Sequence, residues 1–439
     1  MNATLTKKQN IAAKRGNMEK VKKIKIFTIS DHPLSPSGVG IQTKNMIQAM
    51  LRTGKYQFIS FGGAIRHHDY TPVTTEEFGE DWRIYPVDSY GTQDMIRSVL
   101  RSERPDMIWF MTDPRFFGWL WEIENEIRPL VPMVYYHVWD NYPYPKFNKV
   151  WYDSSDVVVT ISKVTDDIVR TVSPELDVRH LPHSVNTELF KKLDSEQVMK
   201  FKEAHFGEED KDKMVFFWNN RNARRKQSGS LIFWFKKFLD KVGHDKAILL
   251  MHTDVKDPNG QDLVAIIEEL GITDGQVRFS QDKLPDEAMA SLYNVADCTI
   301  NISDAEGFGL ATLESLACET PIIVNMTGGL QEQVTDGEEW FGVGLTPASR
   351  AVIGSQEIPR IYEDRQSEEQ VVGALEKIYN MTKEEREEVG RKGRGHVLKN
   401  YNFENFCNSW DETLTDIHKT YGSWETRKKY QSWELMEMK

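Results

Sequence analysis

Ser303-Asp-Ala-Glu-Gly-Phe-Gly-Leu-Ala-Thr-Leu-Glu-Ser-Leu-Ala-Cys-Glu-Thr-Pro321 is the stretch that decides the fold. The apolar run Cys298 to Ile302 before it has the length of a buried parallel strand, Gly307 and Gly309 mark a tight turn, and a helix follows. The unpaired N–H groups where that helix begins, around Phe308, Gly309 and Leu310, offer positive partial charge to a phosphate, and glycine lets the ligand approach closely. A carboxylate one or two turns along the helix, Glu314, is placed to accept hydrogen bonds from a ribose diol. Glu306, ahead of the helix, is placed to reach a sugar on the same ligand. Read as an isolated pair, the two glutamates are better taken as a helix cap and a solvated surface charge.

Working outward, the same strand–turn–helix unit recurs. Ile24 to Ile29 runs through Ser35-Pro-Ser-Gly-Val-Gly40 into a helical pattern ending at Leu51. Further strands are expected at Tyr56 to Phe61, Trp82 to Val87, Met107 to Met111, Met133 to His137 and Val157 to Ile161. After a charged stretch, 191 to 213, the pattern restarts at Met214 to Trp218, Ala247 to Met251, Val277 to Ser280, Cys298 to Ile302 and Pro321 to Val324. Such alternation predicts two parallel sheets covered by helices, each binding ligands beyond the carboxyl ends of its strands. Thr382-Lys-Glu-Glu385 has the spacing of a capping box, and Phe403 to Tyr421 is an amphipathic helix.

Composition bounds the function. A chain of 439 residues with 39% hydrophobic and 28% charged residues is globular and long enough for two or three domains. A net charge of −12 disfavours a broad grip on nucleic acid. Cys298, Cys318 and Cys407 form no zinc pattern or disulfide framework and are expected to be reduced and buried. No Asp-x-Asp pair stands at a convincing strand end, so no catalytic metal is expected. No run reaches the roughly 18 apolar residues of a membrane span. The basic segment 1–23 reads as a solvated tail in preference to a membrane-surface anchor. The expected location is the cytoplasm, with peripheral membrane contact and oligomeric state left open.

Three further elements hold candidate site residues, each with a bland alternative: a solvated basic loop, a tight turn without ligand and a structural histidine. Asn219-Asn-Arg-Asn-Ala-Arg-Arg-Lys-Gln227 places four cations within six residues, enough to neutralise a diphosphate. Gly38 and Gly40 form a turn after the first strand. His137 ends the strand Met133 to His137, and the aromatic loop Trp139 to Tyr144 after it is a candidate acceptor-stacking surface.

Glu306 and Glu314 stand at the two ends of a stretch that resembles the E-x-x-x-x-x-x-x-E motif of the retaining glycosyltransferases of family four (glycosyl transferases group 1). Pro321 to Glu332 is similar to that family's strand and Gly-Gly loop, and Arg221 and Lys226 have the spacing of its phosphate-binding arginine and lysine, with Gln227 where a glycine is usual. Arg179 to Phe190 resembles the interdomain stretch Pro-Asn-Gly-Val-Asp, from which His183, Ser184 and Asn186 depart.

The resemblance implies an α/β chain of GT-B architecture, two Rossmann-like domains facing a central cleft. It divides the chain into a tail (1–23), an acceptor domain (24–192), a donor domain (193–402) and C-terminal helices (403–439) that cross back to the first domain. It implies retaining, metal-independent transfer of a hexosyl group from a nucleoside diphosphate sugar, such as a UDP- or GDP-sugar, to a hydroxyl of a glycan, lipid-linked or small-molecule acceptor. No prosthetic group is implied. Glu306, Arg221, Lys226 and His137 would act at the reacting centre; Glu314, Gly307, Phe308, Gly309, Leu310, Gly38 and Gly40 would bind the donor. Same-fold phosphorylases or synthases, base-modifying transferases and catalytically retired binding subunits are the alternatives. Residues 346–370 read as a long surface insertion near the cleft.

Overall fold

The computed structural model describes residues 22–431; most of the basic tail lies outside them. The first domain is built on an eight-stranded sheet: β1 (Ile24–Asp31), β2 (Tyr56–Gly63), β3 (Val73–Thr75), β4 (Gly79–Pro86), β5 (Met107–Met111), β6 (Met133–His137), β7 (Val157–Thr160) and β8 (Asp177–His180). The spatial order is β3-β4-β2-β1-β5-β6-β7-β8, parallel throughout except for β3 against β4. β1, β5, β6 and β7 are almost wholly buried, as strands covered on both faces must be.

The second domain holds β9 (Met214–Asn219), β10 (Ala247–His252), β11 (Val277–Ser280), β12 (Cys298–Asn301), β13 (Ile322–Asn325) and β14 (Gly342–Leu345), all parallel in the order β11-β10-β9-β12-β13-β14. This is the doubly wound order 3-2-1-4-5-6, and its direction reverses between β9 and β12. The loops after these two strands therefore leave the sheet side by side. They are the basic segment 219–227 and the Glu306 turn. Likewise the loops after β1 and β5 flank the reversal in the first sheet.

Residues 346–370, expected as a surface insertion near the cleft, do border it and are regularly structured. They contain an antiparallel hairpin, β15 (Ser349–Ile353) and β16 (Ile361–Arg365), followed by the start of the helix Glu368–Asn380. The hairpin reaches the other domain: Tyr362 N–H donates to Tyr142 O at 2.6 Å, and Asn141 Nδ2 donates to Tyr362 O at 2.8 Å. Ile358, at its tip, is buried in a small cluster with Trp139 and Ile168.

Two crossovers join the domains. The outgoing one, 181–190, and the returning one at Tyr401 and Asn402 run side by side, with Val185 N–H donating to Tyr401 O at 3.1 Å. Arg394 ties them by donating to Phe190 O and Thr187 O. The helix Phe403–Tyr421, opened by an Asn402 side-chain cap, then packs on the first domain. Its Trp410 lies edge-on to Trp109 and Tyr136, and Tyr56 Oη donates to Asp411 at 2.7 Å. Cys298 and Cys318 are buried; Cys407, on this helix, is only half-buried, contrary to expectation. No described helix is long and apolar enough to cross a membrane.

Candidate active site

The loops at both sheet reversals open onto one cleft of about 1210 Å³ between the domains. On the second-domain side, the helix Leu310–Ala317 starts at Gly309, whose φ of +91° is the left-handed conformation that glycine adopts without strain. Gly307, Phe308, Gly309, Leu310, Glu306 and Glu314 all line the cleft. Glu306 is held from behind: its carbonyl accepts from Gly329 N–H at 3.1 Å, so the Gly-Gly loop after β13 fixes the turn.

Lys226 and Glu306 form a direct, buried ion pair at the base of the cleft. Burial pushes the Glu306 carboxyl up, but Lys226 and Arg225 outweigh it and hold its pKa down to about 2. For Lys226, burial is the larger effect and lowers its pKa despite the carboxylate. Asn301 Nδ2 donates to the same Glu306 oxygen at 3.3 Å. Glu314 has no cation beside it among the described residues. Burial raises its pKa to about 7 against the hydrogen bond it accepts from Tyr293 Oη at 2.7 Å. Asn219 Nδ2 in turn donates to Tyr293 Oη at 2.8 Å, which orients the phenol toward the carboxylate.

The cationic loop differs from expectation in its register. Arg221 lines the cleft, but its guanidinium is held bidentately by Asp257 at 2.6 and 3.1 Å at the exposed rim. Arg225, one residue before Lys226 in the 3₁₀ turn Arg224–Lys226, is the arginine beside Glu306, anchored through Ala305 O. Arg224 is clamped by Glu363 of β16, whose side chain is only 3% exposed. Gln227 has φ +59°, a left-handed conformation uncommon for a side-chain-bearing residue. The resemblance places glycine here, and the backbone shows why. The Gln227 amide donates to Asp304 at 2.7 Å and so links the loop to the Glu306 turn.

On the first-domain side two expectations fail. His137 does not reach the cleft. Alternation along β6 turns it to the same face as Tyr135, where its Nε2 pairs with Tyr152 Oη at 2.8 Å. Burial lowers its pKa to about 3, so it is a neutral core residue. Gly40 also faces away from the cleft: a Cβ there would lie 2.6 Å from Ser35 Oγ and 2.8 Å from His32 O, so its glycine serves the packing of that loop. Gly38 does line the cleft, opposite Leu310, whose Cδ1 would be 3.6 Å from a Cβ at that position.

Sequence reasoning missed Asp140, His183, Tyr293 and Glu363. Asp140 and His183 line the cleft directly, with Val138 and Trp139 between the former and β6. His183 was visible as a departure from Pro-Asn-Gly-Val-Asp; the others carried no local signal.

Two doubly wound domains that share one cleft, lined by a lysine–glutamate pair and a half-buried second glutamate, define the GT-B class. Residues 199–396 match the family model "Glycosyl transferases group 1". That match lies within the second domain, and the chain as a whole has the GT-B fold. A D-inositol 3-phosphate glycosyltransferase of Thermomonospora curvata is 40% identical over 92 residues, 21% of each chain. N-acetyl-alpha-D-glucosaminyl L-malate synthase of Bacillus anthracis is 23% identical over 52% of this chain and 60% of its own. The chain thus spans between about a fifth and three-fifths of the length of these curated relatives.

Solved structures share the fold over nearly the whole chain. Sucrose-phosphate synthase of Thermosynechococcus elongatus superposes with TM-score 0.71 at 17% identity, over 91% of this chain and all of that one. Anabaena HepE, solved with UDP and glucose, superposes with TM-score 0.66 at 15% identity, over 90% and 100%.

Proposed function

We propose that the protein is a retaining glycosyltransferase that moves a hexosyl group from a nucleoside diphosphate sugar to an acceptor hydroxyl. The observation that carries this reading is the Lys226–Glu306 pair at the start of the Leu310–Ala317 helix, with Arg225 beside it and Glu314 further along the same helix. Donor diphosphate takes over Lys226 and Arg225 and meets the N–H groups near Gly309, where fixed positive charge in a buried cleft acts most strongly. Glu306, released from its lysine, orients the sugar, and Glu314 accepts from the ribose diol. HepE, whose structure holds UDP and glucose, supports such a donor.

In the transfer, the bond between the anomeric carbon and the phosphate oxygen breaks, and a bond to the acceptor oxygen forms on the same face. The acceptor proton passes to the departing phosphate, so no side-chain base is required. The leaving charge is stabilised by Lys226, Arg225 and the helix start; no step depends on a metal.

A thermal-shift panel of UDP, GDP and ADP tests the reading, because a ligand bound only by the folded state raises the melting temperature. One nucleotide should stabilise the wild type clearly, and its sugars should be hydrolysed or transferred with the anomeric configuration kept, as read by proton NMR. Stabilisation by none of the three would overturn the proposal.

A further inference from the structure

We propose that His183 and Asp140 form the acceptor subsite, and that the acceptor is a neutral, hydroxyl-rich compound carrying no phosphate where it meets the first domain. This rests on the glycosyltransferase reading above and adds the substrate class to it.

The hydrogen bonds around His183 fix its tautomer. Tyr136 Oη has one proton, and it donates it to Leu181 O at 2.9 Å, a group that can only accept. The phenol oxygen can then only accept from His183 Nδ1, 2.8 Å away, so the proton of His183 sits on Nδ1. Nε2 keeps its lone pair. No described residue hydrogen bonds to Nε2, yet His183 is 5% exposed and lines the cleft. The ring is clamped edge-on between Tyr136 and Phe308, at centroid distances of 5.2 and 5.0 Å. A buried, rigid acceptor of hydrogen bonds facing open space calls for a hydroxyl.

Asp140 presents the second such group. Its carboxylate makes no hydrogen bond among the described residues, and it stands beside Gly307, where a Cβ would come 3.9 Å from its Oδ2. Both groups therefore border the Gly307–Phe308 turn, next to where the donor sugar is proposed to lie.

The charge of the wall fixes the class. The first domain contributes Asp31, Asp113 and Asp140 to the cleft and a single described cation, Arg115. Arg115 is bound bidentately by Asp113 at 2.8 and 2.9 Å. The other cations of the cleft, Arg221, Arg224, Arg225, Lys226 and Lys283, all belong to the second domain, where three of them already meet carboxylates. A phosphorylated acceptor on this wall would meet carboxylates and an imidazole lone pair, and the cations that act on Asp140, Arg225 and Lys226, are those the donor diphosphate takes over; hydroxyls can donate to every one of these acceptors.

The experiment uses the full chain and whichever nucleotide sugar it turns over. Initial rates are measured with free hexoses, the matching hexose 6-phosphates and malate as acceptors. Neutral hexoses should be preferred by about tenfold or more in kcat/KM. His183→Leu should raise the acceptor KM by about tenfold, with donor affinity by calorimetry changed by less than about twofold, and His183→Gln should recover part of the loss because its amide oxygen can accept. Nitrogen NMR should find the ring protonated at Nδ1 only. Preference for a phosphorylated or dicarboxylic acceptor, use of no neutral sugar, or a His183→Leu effect confined to kcat would overturn the inference. Failure to bind any nucleotide would overturn the underlying reading instead.

Discussion

Lys226 and Glu306 are worth more together than either is alone. A buried charge stripped of its partner costs about 3 kcal/mol or more, whereas removing both charges at once is often nearly neutral. Lys226→Met should therefore lower the melting temperature markedly, and Lys226→Met combined with Glu306→Gln should restore most of it. Turnover should stay at least about a hundredfold down in both, since the leaving phosphate has lost its main counter-charge. Melting curves set beside donor turnover check this, and a double variant with recovered activity would remove the pair from the mechanism.

Glu314 titrates in the opposite sense. With its pKa raised from 4.5 to about 7, the folded state holds a proton that the unfolded chain releases. Its contribution to stability is complete below pH 4.5 and is lost as pH rises through about 7. Ribose hydroxyls donate best to the ionised form, so nucleotide affinity should rise between pH 6 and 8 while this stabilisation falls. In Glu314→Gln the affinity rise should flatten and binding weaken by about tenfold, without loss of melting temperature at pH 8. Calorimetric titration at three pH values reads the first outcome directly.

Among elements, the β15–β16 hairpin carries no periodic signal in the sequence. Its strands are short, half-exposed and rich in charge, Ser349 to Ile353 and Ile361 to Arg365, so neither shows the apolar run that revealed β5 or β9. β8 and β14 escaped for related reasons: one alternates buried and charged positions at a sheet edge, and the other carries two glycines. Elements buried on both faces announce themselves in sequence, and edges do not. At the site the same divide holds. Glu306, Glu314 and Lys226 belong to segments with strong local motifs, whereas the burial of His137 away from the cleft and the placing of Arg225 beside Glu306 depend on pleat and loop register. The hairpin's grip on the first domain centres on Ile358. Ile358→Asp should place an unpaired charge against Trp139 and Ile168 at a cost of about 2 kcal/mol or more. Hydrogen exchange should then quicken across 349–365 and 139–144 while β9 and β12 stay protected; uniform protection would mean that the strap carries no load.

At the scale of the whole molecule, the second domain is an insertion between the body of the first and its helix Phe403–Tyr421. Residues 195–400 depart and return through adjacent crossovers, and Trp410, Leu414 and Ile417 complete a core begun by Met46, Trp109 and Tyr136. Ending the chain at residue 402 should therefore unfold the first domain and spare the second. Limited proteolysis of the truncated protein should leave a resistant fragment close to 195–400, and a resistant fragment spanning 24–180 would contradict this.

That return helix also sets an order of events during synthesis. Growing chains fold from the amino end as they emerge, but here the face of β5 and β6 that carries Trp109 and Tyr136 has to wait for residues made more than 250 positions later. Throughout that interval the second domain can mature on the ribosome while the first remains open along an aromatic seam. The domain translated first is the last to close, and the cleft exists only once the helix Phe403–Tyr421 has been released.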